Sequence, residues 1–400
     1  MKEGATLKLV AVCLLVCAWL SLATRATHSQ AGTRLGDPLP GLTTEQLALF
    51  REGKTVFEKE FKADEGLGPT FNGISCAACH FTSIRTPVSG GPSSASVTRF
   101  ARIKDDGSFD PLPGGSLLQL MAIEPECREV VPSDANVMIK RTTTSAFGAG
   151  LMEAIPDETI LASADPDEAD RDGVSGRAQI VVDPATGRER VGRFGWKAQQ
   201  ATLLGFSADA FQGEMGITND LFPAEQLPNG DATRLARCDR VPDVEDKVDP
   251  ATGRRGIDKL ANFQRLLGAP PRGVITAEVM QGEDVFKAIG CAACHVPQLM
   301  TGASDVAALN LKSVPLYSDL LLHDIGTGDG IVQGRASGRE FRTPPLWGLR
   351  SRQLFHHDGR GITIEQAISQ HAGEAAQSKT KFDQLSAAER LKLLAFLSSL

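Results

Sequence analysis

No run of basic residues occurs in this chain of 400 residues, and 49 acidic side chains outnumber 42 lysines and arginines, for a net charge of −7. A nucleic-acid surface needs clustered Lys and Arg, so no nucleic-acid partner is expected. A long membrane-spanning stretch is lacking too. The N-terminal apolar run Leu9–Leu22, broken only by Cys, Trp and Ser, falls short of the ~20 residues a spanning helix needs. Lys2 and Lys8 precede most of it, and Ala23 and Ala26 offer small cleavage positions, so residues 1–26 read as an export signal. A lipid anchor on Cys17 is the weaker alternative, because Val16 suits poorly the place before a lipidated cysteine. Cysteine is scarce. With Cys13 and Cys17 in the leader and four more in the motifs below, only Cys127 and Cys238 remain. Neither stands in a C-x-x-C context, so no catalytic thiol is expected. In an oxidising compartment the two are expected to pair as a disulfide.

What the chain does have is one motif twice: Cys76-Ala-Ala-Cys79-His80 and Cys291-Ala-Ala-Cys294-His295. C-x-x-C-H is the attachment signature of a c-type haem. The two sulfurs add to the haem vinyl groups, and the adjoining histidine gives iron a proximal nitrogen. A zinc ribbon would place its two knuckles about 15–20 residues apart, far closer than these. A thioredoxin-like motif needs no trailing histidine. Two covalently attached haems are therefore expected. Covalent haem attachment in bacteria takes place outside the cytoplasm, in agreement with the signal, so a periplasmic location follows as the expectation.

The chain also carries a diverged internal repeat. Thr43 and Gln46 form a capping box before Leu47, Phe50 and Phe57. Gly53-Lys-Thr-Val-Phe57 recurs as Gly282-Glu-Asp-Val-Phe286, a small residue and an aromatic that let a first helix lie close against a last one. Arg141-Thr-Thr-Thr-Ser-Ala-Phe-Gly148 pairs with Arg342-Thr-Pro-Pro-Leu-Trp-Gly348. Ser386 and Glu389 cap a terminal amphipathic helix with apolar residues at 391, 394 and 397. Residues 179–191 read as a hairpin around a Pro/Gly turn, and 266–273 as the domain boundary. The expected architecture is mainly α: two cytochrome c-like haem domains, 40–270 with insertions and 274–400, with long loops and a small β-hairpin insertion.

The run 342–349, then Phe355-His-His-Asp-Gly-Arg360 and Thr363-Ile-Glu-Gln-Ala-Ile368, resembles the C-terminal signature of bacterial di-haem cytochrome c peroxidases and their relatives. These include the di-haem enzyme that matures methylamine dehydrogenase. Gly192-Arg-Phe-Gly-Trp196-Lys-Ala, Gly213-Glu-Met-Gly-Ile-Thr218, Tyr317-Ser-Asp-Leu-Leu-Leu-His323-Asp and His371-Ala-Gly-Glu-Ala are most similar to the di-haem oxidoreductase branch. The resemblance covers about residues 40–400 and speaks for architecture more than for substrate. It implies one low-spin relay haem and one haem with an open or displaceable distal side for peroxide. A small redox protein or quinol-linked carrier would exchange electrons with them. The competing reading is a di-haem electron-transfer cytochrome with no catalysis of its own.

Four histidines remain for distal ligation: His323, His356, His357 and His371. In the peroxidase pattern a methionine directly before H-D-G ligates the relay haem. Here His356 takes that place, which makes it an axial candidate that would lower the potential relative to Met/His. His323 is the second axial candidate, and His371 reads rather as structural. Glu153, between Met152 and Ala154, is the candidate acid that moves a proton between the peroxide oxygens. Met152 competes there as an iron ligand. Arg141 and Arg342 are candidates for haem propionates, and Trp196 for an electron bridge between the rings. Asp165-Pro-Asp-Glu-Ala-Asp170-Arg-Asp172-Gly clusters carboxylates around a glycine turn. Asp170 and Asp172 are its candidate Ca2+ ligands; a solvated acidic loop is the other reading, since the glutamate that closes an EF-hand is missing.

Overall fold

Two helix pairs carry the architecture, and glycine sets the spacing in each. The computed structural model describes residues 34–82, 87–169, 172–240 and 245–400. The export signal read at 1–26 and the candidate ligand Asp170 lie outside them. Ten α-helices are described: α1 Thr44–Glu58, α2 Ala149–Glu153, α3 Asp157–Leu161, α4 Leu203–Met215, α5 Ala232–Cys238, α6 Gly256–Leu266, α7 Ala277–Ala288, α8 Ile364–Ser369, α9 Ala376–Asp383 and α10 Ala387–Ser399.

Helix α1 begins where the capping box places it. Thr43 Oγ1 accepts the Gln46 N–H at 3.2 Å, and Gln46 Oε1 accepts the Thr43 N–H at 3.0 Å. Its buried face is Phe50, Gly53 and Phe57, which lies on α6. A Cβ on Gly53 would stand 2.0 Å from the Lys259 carbonyl oxygen. The absent side chain lets the backbones touch, and Phe263 fills the crossing, 5.2 Å from the Phe50 ring and 4.8 Å from Phe57. The second pair repeats this. Helix α7 buries Val279, Gly282 and Phe286 against α10. A Cβ on Gly282 would stand 2.0 Å from the Lys392 carbonyl oxygen, and Phe286 meets Phe396 at 5.2 Å. Ser386 and Glu389 cap α10 as the sequence indicates. Its buried face, however, is Leu393, Phe396 and Leu397; Leu391, expected inside, is 64% exposed.

Helix outweighs strand, 32% against 14%. The expected hairpin is present as Ile180–Val182 paired with Glu189–Val191, and it is one of five small sheets among the described residues. The largest pairs Ser96–Ile103 with Phe109–Asp110 and with Val137–Thr142. Its last strand delivers Arg141; the short ladder Leu322–His323 with Phe341–Arg342 delivers Arg342 in the same way. Past each arginine a glycine at φ +71°, Gly148 or Gly348, turns the chain into a helical turn. The two repeats interlock here: Thr142 N donates to His357 O at 2.7 Å, and Arg342 N donates to Trp196 O at 2.8 Å. A core cluster that includes Leu151, Phe194, Leu316, Leu320 and Trp347 draws on both. Cys127 and Cys238 form a disulfide with Cα atoms 5.9 Å apart, which ties α5 to the loop before Val137. Among the described residues no helix is long and apolar enough to cross a membrane.

Gly282→Ala must push α7 off the Lys392 carbonyl. It is expected to destabilise the fold by about 1–3 kcal/mol, the usual range for overpacking, read as a lowered denaturation midpoint. An unchanged midpoint would contradict the close crossing.

Candidate functional site: two histidine-capped clefts

Each C-A-A-C-H segment is a tight helical turn, Cys76–Ala78 or Cys291–Ala293, that lies against its own first helix. Each opens on a cleft of its own. The N-terminal cleft spans about 1830 Å³ and the C-terminal one about 1420 Å³, both counted with the solvent-open mouth. Both cysteines and the histidine of each motif line the respective cleft.

The histidines are held alike. His80 Nδ1 lies 3.0 Å from Thr144 O, and His295 Nδ1 lies 3.0 Å from Tyr317 O. A carbonyl can only accept, so Nδ1 carries the proton and Nε2 keeps its lone pair. Burial pushes both imidazoles down to about 4, against the weaker pull of those carbonyls, so they are neutral. A neutral imidazole oriented through Nδ1 is the form that ligates iron. Burial also pushes the Cys76 and Cys291 thiols up to about 12, so neither is a reactive thiolate. Two sulfurs and one oriented nitrogen at the wall of a large apolar cleft fit a c-type haem.

The C-terminal cleft holds four further histidines. His323 is buried, with Nε2 2.8 Å from Asp319 Oδ2 and Nδ1 2.8 Å from Glu374 Oε2. Burial alone would lower its pKa; hydrogen bonds to Asp319, Cys294 and Glu374 outweigh it and push the group up to about 12. Both nitrogens are donors, so His323 has no lone pair for iron, contrary to its expected axial role. Ligand atoms of Cys294, Asp319 and His323 lie within 4.8 Å of one another, but with both His323 nitrogens protonated the group is a hydrogen-bonded triad. His356 stands at φ +63° with Nε2 3.1 Å from Ala367 O. His371 Nδ1 lies 2.7 Å from the same oxygen. His371 alone of the four repeats the arrangement of His80 and His295, with Nδ1 on a carbonyl and Nε2 left over. His356, bonded through Nε2, keeps its Nδ1 lone pair instead. His357 stacks on Phe341 at 3.8 Å, and its buried Nε2 has no hydrogen-bond partner.

Among the described residues the N-terminal cleft has no histidine on its wall besides His80; its other soft donors are the thioethers of Met152 and Met215. One face of α4 lines it, with Leu203, Phe206, Ser207, Ala210, Gly213 and Glu214 at helical spacing. Small residues keep this wall flat, and a Cβ on Gly213 would meet nothing within 4 Å. Two acids reach the cleft, Asp209 and Glu214. Burial raises the pKa of each. Glu153, the acid chosen from sequence, is not on this wall. Arg265 Nε at 2.6 Å and the Leu203 N–H at 2.7 Å hold its carboxylate, which ties α2 to α4 and α6. Asp209 and Glu214 escaped notice because nothing in the sequence shows which face of α4 turns inward.

Trp196, Arg342, Pro344, Pro345 and Arg352 line both clefts. Trp196 Nε1 donates to Thr142 O at 2.8 Å, which fixes the indole in that shared wall. Arg141 lines the N-terminal cleft; Asp329 pairs with its Nε at 2.7 Å, while its buried Nη2 lacks a partner. Asp172 belongs to an exposed loop and its Oδ1 accepts the Val174 N–H at 2.8 Å.

The sequence profile of the family described as "Di-haem oxidoreductase, putative peroxidase" matches residues 127–400. No curated protein sequence matches the chain. Among solved structures it is similar to a MauG-like protein associated with microbial copper homeostasis, at 17% identity and TM-score 0.40 over 92% of this chain and 93% of that one. It is also similar to the diheme peroxidase BthA from Burkholderia thailandensis, at 15% identity and TM-score 0.39 over 92% and 87%. A third similar structure is hydrazine synthase of Kuenenia stuttgartiensis, at 14% identity and TM-score 0.38 over 92% and 96%.

The His323 triad makes a testable contribution to stability. A pKa raised from 6.5 to about 12 means that the stabilisation is full below pH 6.5 and declines as pH rises toward 12. Replacing His323 by Gln is expected to flatten the alkaline loss of stability, measured as denaturation midpoints across pH 7–10. An identical pH slope in the variant would contradict the triad.

Proposed function

Since this chain belongs to the di-haem oxidoreductase family, we propose that it is an exported peroxidase-like enzyme with two covalently attached c-type haems of unequal coordination. Cys76, Cys79 and His80 hold one haem; Cys291, Cys294 and His295 hold the other. The disulfide supports an oxidising, periplasmic setting. The observation that carries the reading is the asymmetry between the clefts. The C-terminal cleft offers a third carbonyl-tethered imidazole, His371, as a second axial ligand. Among the described residues the N-terminal cleft offers no second imidazole but two half-buried acids, Asp209 and Glu214.

Haem iron, when bound, supplies the electrons that split the O–O bond of peroxide; two electrons and two protons convert one hydrogen peroxide into two waters. The chain's own groups do the rest. Burial raises the pKa of Glu214 and Asp209 against the pull of Arg99, which favours a proton on each at the cleft wall, where either can hand it to the departing oxygen. Leu203 and Phe206 of α4 supply the apolar part of that wall. His295 and His371 would both be available to hold a haem in the C-terminal cleft, and a haem held by two imidazoles would supply the relay. Trp196 spans the shared wall as the electron route. A small redox protein or quinol-linked donor refills the relay.

Met152 supports a second reading. It lines the N-terminal cleft, and a firmly bound thioether there would leave a relay cytochrome without peroxidase activity. Peroxide separates the two: the enzyme reading requires a changed absorption spectrum on addition, the relay reading requires none. In the enzyme, the double variant Asp209→Asn, Glu214→Gln is expected to lose peroxide turnover by roughly 10²-fold or more with haem content unchanged. Glu153→Gln is expected to act on stability. Full turnover in the double variant would refute the acids' role.

A further inference from the structure

The wall common to both clefts carries two cations, neither of them hydrogen-bonded or ion-paired to a carboxylate among the described residues. Arg342 is buried; its Nε donates to Gly195 O at 3.0 Å and its Nη1 to Thr343 O at 2.9 Å, both neutral acceptors. Arg352 follows the turn Leu349–Ser351. Its guanidinium makes no hydrogen bond or ion pair among the described residues. Burial lowers both to about 10; on Arg342 the neighbouring Arg352 lowers the pKa further, and Asp319 pulls it back only in part. Three buried cations elsewhere in the fold are compensated. Arg141 pairs with Asp329, Lys197 stands 3.8 Å from the same carboxylate, and Arg193 pairs with Asp157. Pro344 and Pro345, on the same wall, have no N–H to donate.

Two like charges side by side on a cleft wall carry an unrelieved desolvation and repulsion cost that an arriving anion would offset. A guanidinium fork matches a carboxylate, and Arg is the side chain that takes one bidentately. This site is reachable from both clefts, so the anion is a carboxylate carried by whatever fills them. We propose that Arg342 and Arg352 form a shared clamp that takes a haem propionate from each cleft and couples the two cofactors electrostatically. This rests on the two-haem reading above. A cation beside a haem favours the reduced state, so one clamp sets both potentials together.

The test uses the haem-loaded full chain. Haem content of the wild type comes first: fewer than two haems per chain sinks the di-haem reading itself. Arg352→Met and Arg352→Gln remove the charge; Arg352→Lys keeps it. Midpoint potentials come from spectroelectrochemical titration, and propionate hydrogen bonding from the propionate bending bands in resonance Raman spectra of each haem. With two haems retained, the neutral variants are expected to lower both midpoints and to shift the bending bands of both haems. Arg352→Lys is expected to restore the midpoints but not the band positions, since an ammonium cannot reproduce the fork. A response confined to one haem, or bands unmoved at both, would overturn the shared clamp while leaving the two-haem reading intact.

Discussion

Everything at these sites depends on one hydrogen bond made three times, from a histidine Nδ1 to a main-chain carbonyl. Thr144 O holds His80, Tyr317 O holds His295 and Ala367 O holds His371. The bond fixes the tautomer, turns the ring and leaves Nε2 for a metal. It needs no charge, so the imidazole stays neutral in an apolar cleft, where an imidazolium would be costly. Each carbonyl belongs to a loop or helix that the fold holds rigidly. Tyr317, for one, lies against Phe286 and Phe396 in the second helix pair.

The repeat explains why the clefts match on one side and differ on the other. The Gly53/Phe57 and Gly282/Phe286 crossings place each C-A-A-C-H turn against its helix in the same way. The opposite walls come from elements without counterparts. Helix α4, which bears Asp209 and Glu214, faces the first cleft. The loop around α8, which bears His356 and His371, faces the second. Where the repeats interlock, through Thr142 with His357 and Arg342 with Trp196, the clefts share a wall of Trp196, two prolines and two arginines. Equal proximal groups with unequal distal walls suit a division of labour between two haems.

Much of the scaffold was legible in the sequence. The doubled C-A-A-C-H motif, the Gly–Phe repeat, the caps at Thr43 and Ser386 and the pairing of Cys127 with Cys238 are local patterns or simple elimination. The distal assignments were not legible, because long-range bonds decide them. His323 is removed from consideration by Glu374, far along the chain, and by Asp319. Glu153 is claimed by Arg265. His371 and His356 reach the same Ala367 O through different ring nitrogens. The inward face of α4 is equally hidden: its stripe of Ser207, Ala210 and Gly213 has no strong apolar signature, and the acids on it look like surface residues. Leu391 misled for the opposite reason, as an apolar residue left in solvent.

The central claim is that the two irons differ because only the C-terminal cleft supplies a second tethered imidazole. Electron paramagnetic resonance of the resting, fully ferric protein tests it most directly. One high-spin signal and one low-spin signal in equal amounts is the result the account predicts, with the low-spin signal converting to high-spin in a His371→Ala variant. Two low-spin signals, or a low-spin signal indifferent to the loss of His371, would contradict it.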